Sequence, residues 1–136
     1  MQRSYILARS TLVAVASSLM LLGSMSSAFS DVTQELSTAN THAGYAMQAT
    51  VLKTAQTHLQ HVINCLVGPK GEDFDAKQAN PCNAMGDGAI PDTSNAANKM
   101  QLTMAVTKAK HGIAASDLAA AQTDAKAVQE ILSQVK

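Results

Sequence analysis

His58 and His61 are the residues of this chain best spaced for chemistry. Three apart on a helical pattern, and with Cys65 one turn on, they fall within roughly 60° of one another at about 100° per residue, so two imidazoles can address one point in space. A second group, Met100, Met104 and His111, repeats along a later helical pattern. Neutral imidazole with thioether suits copper, especially the reduced ion, and imidazole with carboxylate suits copper, zinc or nickel. The expectation is a metal site on His58 and His61, completed from the facing helix by Met100 or Met104. His111 then lies toward the other end, closer to His42, as a second half-site. On a straight helix His42 itself stands far around the cylinder from the pair. The competing account makes the histidines hydrogen-bonding residues at a bundle margin and the methionines adaptable core filler.

Cys65 and Cys82 are the only cysteines, too far apart for a CxxC redox motif. In an oxidising compartment such a pair bridges, closing a loop worth roughly 3 kcal/mol in the chain-entropy account; ligation of a metal by both thiolates is the alternative. Other chemistry finds less support. There is no CxxCH for haem attachment, and few large aromatics to line a haem pocket, which argues against haem as a cofactor. Glu72, Asp73, Asp75, Asp87 and Asp92 do not follow the calcium-loop spacing. No nucleophile elbow, HExxH or glycine-rich phosphate loop is present, and no triad is evident, so the expectation is a protein that is not an enzyme.

The elements that position these residues read as helices. From Val32, with Asp31 as a possible cap, to Val67 the chain has no proline and one glycine, Gly44, and predicts one long first helix, bent or broken near Gly44. Its packing face is Met47, Val51, Thr54, His58, His61 and Cys65, widened by Leu59, Val62 and Leu66. Gly68 and Pro69 stop it. A glycine- and aspartate-rich loop, residues 68–92, follows, pinned by Cys82, with Phe74 and Ile90 able to return apolar groups to the bundle and Gly86-Asp87-Gly88 forming a tight turn. A helical hairpin completes the chain. Its first helix starts from Asp92 or Ser94, with a seam of Ala97, Met100, Met104, Thr107 and His111. Its second is capped by Ser116 and lined by Leu118, Ala121, Ala125, Val128, Leu132 and Val135. No period-two alternation supports strands. The fold class is all-α, a small up-and-down bundle of three helices, or four if the first breaks.

Residues 1–28 read as a secretory signal peptide: Arg3 and Arg9, an apolar run from Thr11 to Leu22 that is short for a membrane span, then Ser26, Ser27 and Ala28 before the cut. The expected product is one domain, residues 29–136, periplasmic or secreted and without stable membrane insertion. Its eight lysines face ten acidic residues, a balance that disfavours nucleic acid and anionic membranes as partners.

The His58-Leu59-Gln60-His61 segment, the Lys110-His111 step and the alanine-rich run from Leu118 to Ala127 resemble small exported helical metal-binding proteins of Gram-negative bacteria. That resemblance implies a periplasmic protein that binds or buffers copper, zinc or nickel. The alternative is a structural or interaction module that presents the 68–92 loop, through Phe74, Asp87 and Ile90, to another exported protein.

Overall fold

Four long helices pack around each other in the order in which they occur along the chain, with a fifth of one turn between the second and third of them. The computed structural model describes residues 27–136; the leader expected before them lies outside the described residues except at its last two positions. The helices are α1 (Ser27–Gln48), α2 (Leu52–Val67), α3 (Ala89–Asp92), α4 (Ala96–Ile113) and α5 (Leu118–Leu132). There is no strand among the described residues, and none of their helices is long and apolar enough to cross a membrane. α1 and α2 form one hairpin and α4 and α5 another. α2 lies against α4 and α1 against α5, which leaves α1 and α4 diagonal. The all-α bundle is therefore as expected.

Small residues make this packing possible. Beyond Glu35, α1 buries Ala39, Ala43, Gly44 and Ala46, a stripe with almost no side-chain bulk, so neighbouring backbones come close. Leu59, Val62, Ile63 and Leu66 on α2, Leu102 and Val106 on α4, and Val128 and Leu132 on α5 fill the remaining space. Gly112 marks a close approach between helices: a Cβ there would stand 2.6 Å from Leu59 Cδ1 and 3.0 Å from Asp124 Cβ. It therefore sits inside α4 as a contact residue rather than interrupting the helix.

The expected single first helix is two helices, and the break is not at Gly44. Gly44 is buried within α1, with Gln129 Nε2 3.3 Å from where its Cβ would be. The chain instead leaves the helix at Ala49–Val51, where Thr50 and Val51 place two β-branched residues in succession and Val51 is extended (φ −132°, ψ 133°). No side chain caps α2. Long-range bonds hold this corner: Gln122 Nε2 donates to Ala49 O at 2.9 Å, and Gln56 Nε2 donates to Ile113 O and Ala115 O at 2.9 and 3.2 Å. The break turns α2 back along α1, and every relation between α1 and α2 residues follows from it.

Other helix ends also differ from expectation. Asp31 lies inside α1. Asn95 caps α4 by accepting from the amides of Ala97 and Asn98, and Asp117, not Ser116, caps α5 by accepting from Ala120. The seam expected on α4 is its outer face. Ala97, Met100, Met104, Thr107 and His111 are all exposed, whereas Asn98, Leu102, Ala105, Val106, Ala109 and Gly112 are buried. The face with the branched aliphatic side chains goes inside because each removes more apolar area from water. On α5 the expected face is the buried one at Ala121, Ala125, Val128 and Leu132.

The 68–92 loop is ordered by what it touches. Cys65 and Cys82 are disulfide-bonded, with Cα atoms 5.1 Å apart. Fully buried Asn64 reaches across it, donating to Asp75 O and Ala79 O and accepting from Asp75 N, all at 3.0–3.1 Å. Gln60 donates to Asp73 O, and Gly88 N donates to the buried Glu35 Oε1 at 2.9 Å.

Candidate metal centre

The Ala49–Val51 corner sets His42 opposite His58. Each lies six residues from the helix end that flanks the corner, Gln48 for His42 and Leu52 for His58, about 9 Å along its helix axis at 1.5 Å per residue, so in the hairpin they stand at one level. His61 follows one turn further on the face of α2 that carries His58. The three imidazoles meet at the margin of the α1–α2 seam, each partly exposed, beside fully buried Leu59 and Val62.

The Nδ1 atoms converge. His42 Nδ1 is 3.1 Å from His58 Nδ1 and 3.3 Å from His61 Nδ1, and one ligand atom from each of the three rings fits within a 4.8 Å span. The ring centroids lie 4.9–5.5 Å apart. Tyr45, one turn after His42, meets His42 edge-on at 5.5 Å and tilts against His58 at 5.3 Å.

Burial pushes His42 down to about 4 from the ordinary 6.5, with neighbouring His61 and His58 adding to the effect. Burial also lowers His58 and, with the nearby His58 charge, His61. All three rings are therefore neutral at pH 7 and hold free lone pairs. Hydrogen bonds among the three rings cannot pair all three Nδ1 atoms. A neutral imidazole has one N–H and one in-plane lone pair, so His42 Nδ1 can form a good hydrogen bond with only one of its two close neighbours. A cation accepting all three lone pairs removes that conflict. Two nitrogens bound at 2.0–2.1 Å to a tetrahedral ion stand roughly 3.3–3.4 Å apart, close to the two separations observed. The set is three imidazole nitrogens, a donor type suited to zinc, copper and nickel.

Of the residues expected at the metal, the structure brings together His58 and His61. Met100 and Met104 are 63% and 54% exposed on α4, so neither is the core filler the sequence suggests, and the third donor beside the pair is His42. His111 is exposed and bonded to the nearly buried carboxylate of Asp124, which Lys108 also approaches at 3.8 Å. It is near neither His42 nor the pair through any such contact. The cysteines are bonded to each other and so unavailable to a metal. In the loop, Phe74 is half-buried, Asp87 is exposed and paired with Lys70 at 3.1 Å, and Ile90 packs on the core.

His42 is the donor that sequence reasoning placed elsewhere, because a straight helix puts it on another face. The usable signal was the β-branched Thr50-Val51 step as a corner: His42 and His58 are equidistant from Thr50. No family model, curated protein or solved structure matches the chain.

Proposed function

We propose that this protein binds a borderline transition-metal ion through His42, His58 and His61 and holds it, without catalysis, in an exported compartment. The convergence of three neutral Nδ1 atoms, two pairs of them at separations of a tetrahedral edge, carries the reading. An all-nitrogen donor set, with the methionines on the outer face of α4, moves the preference from reduced copper to divalent copper, zinc or nickel. The Cys65–Cys82 disulfide and the leader-like N-terminus support export to an oxidising space, the periplasm or beyond.

Calorimetric titration of the disulfide-intact protein with zinc and with divalent copper tests this. The expected result is one ion per chain at sub-micromolar Kd, lost in His42→Ala and in the His58→Ala/His61→Ala double variant. Binding that these variants retain contradicts it.

One observation favours a second reading, an interaction module. A groove of about 430 Å³ lies beside the loop, lined among others by Val67, Lys70, Asp87, Ile90, Pro91 and Val106. Two of the three loop residues expected at an interface line it. In that case Ile90→Ala and Asp87→Ala abolish capture of an exported partner while the histidine variants do not.

A further inference from the structure

The protein supplies three donors from the margin of a helix pair, and three donors leave a bound tetrahedral ion incomplete. Among the described residues, the cluster has no fourth histidine, cysteine or carboxylate within the same span. Closed structural sites take four protein ligands, whereas sites that exchange ligands take three and leave one position to water or substrate. Placement agrees with the second kind. His42, His58 and His61 all keep some solvent exposure, while Leu59 and Val62 beside them on α2 are at 0%. Two donors come from α2 and one from α1, so they cap one side of the ion and the remaining vertex is directed away from their triangle. Tyr45, 51% exposed, lies against the rings of His42 and His58 as a partial wall.

We propose that the ion bound by His42, His58 and His61 keeps one coordination position open, occupied by water and exchangeable for a small anion. This rests on the three-histidine reading above and adds the ligand class that the site accepts. It also gives the held ion a route out, since an incoming donor can bind the open position before any histidine lets go. Tyr45 borders this position without filling it.

Cobalt(II) is the probe, because its visible spectrum reports coordination number and ligand set. The disulfide-intact protein is loaded with one equivalent of cobalt(II) and titrated with sodium azide, with Tyr45→Phe alongside. The expected result is a saturable change of the visible bands in both proteins, reversed by removing azide. A cobalt(II) spectrum indifferent to azide, or responsive only in Tyr45→Phe, overturns the proposal: the site is then closed, in the second case by the Tyr45 phenol. Those outcomes leave the three-histidine reading standing. Cobalt(II) uptake that is absent, or unchanged in His42→Ala, overturns both.

Discussion

The two ends of the α1–α2 hairpin both bring titratable side chains of like charge together out of water, and the outcomes are opposite. Near the corner, three imidazoles shed their protons: burial and mutual repulsion lower all three, His42 to about 4. At the far end Glu35, 0% exposed, holds its proton well above the usual carboxylate range. Burial, with Asp92, Asp31 and Asp87 nearby, raises it to about 7 against the pull of the Gly88 amide. Desolvation penalises the charged form in both places. What differs is where the neutral groups point their lone pairs. The imidazoles aim theirs at one another, a convergence that one cation can satisfy at all three nitrogens. Glu35 gives one oxygen to Gly88 N, and the other, Oε2, is buried without a partner. On the reading proposed above, the first arrangement is a receptor and the second is a latch on the disulfide-bonded loop. A cluster of titratable residues indicates binding when its lone pairs converge, and structure when a backbone donor already occupies them.

The largest expected effect separates the ends by ligand binding. His42→Ala removes a direct donor and lowers zinc affinity by more than the ~10–100-fold typical of outer-shell changes. Met100→Leu, Met104→Leu and Glu35→Gln leave it unchanged; calorimetry reads all four. Disulfide loss should strike only the latch end. Cys65→Ser/Cys82→Ser removes a crosslink of sequence separation 17 and costs about 3 kcal/mol in urea unfolding, while zinc affinity stays within a few-fold.

The pH dependence of the metal-free protein sharpens the contrast further. Native Glu35 holds a proton that the unfolded chain releases, so its contribution is full below pH 4.5 and is lost as pH rises to about 7. That shift corresponds to on the order of 3 kcal/mol. Glu35→Gln should therefore gain on the wild-type protein by about that amount between pH 4.5 and 8; parallel stability curves for the two contradict the latch account. The histidines act in the opposite sense and, being partly exposed and screened by solvent, more weakly for the same shift. Native His42 releases a proton that the unfolded chain keeps, so its contribution is present above pH 6.5 and is lost as pH falls toward 4. His42→Gln should flatten that acid limb in urea unfolding, leaving the Glu35 limb in place.

Some of this was legible in the sequence and some was not, for identifiable reasons. The helical class, the disulfide and the inner face of α5 follow from residues that discriminate strongly: absent period-two alternation, a lone cysteine pair, and Val128 and Leu132 on one stripe. The face of α4 was misread because alanine, threonine, lysine and methionine recur at helical spacing on several sides. Only Leu102 and Val106 tell inside from outside. The corner was misplaced because Gly44 resembles a breaker, whereas it serves as a close contact for α5 and the turn falls at Thr50-Val51. That displacement hid His42, since which faces meet across a hairpin depends on the residue at which the chain turns. Glu35 and Asn64 were unreadable for a related reason: their partners, Gly88 and the Asp75–Ala79 backbone, are loop atoms that no periodicity places.

X-ray absorption at the zinc edge on the one-to-one zinc complex tests the central claim most directly. The account predicts three imidazole nitrogens at about 2.0–2.1 Å with the multiple-scattering pattern of histidine rings, one oxygen scatterer, and no sulfur. A shell with sulfur, or with a single imidazole among oxygens, places the ion at the methionines or at a lone surface histidine and contradicts the three-histidine centre.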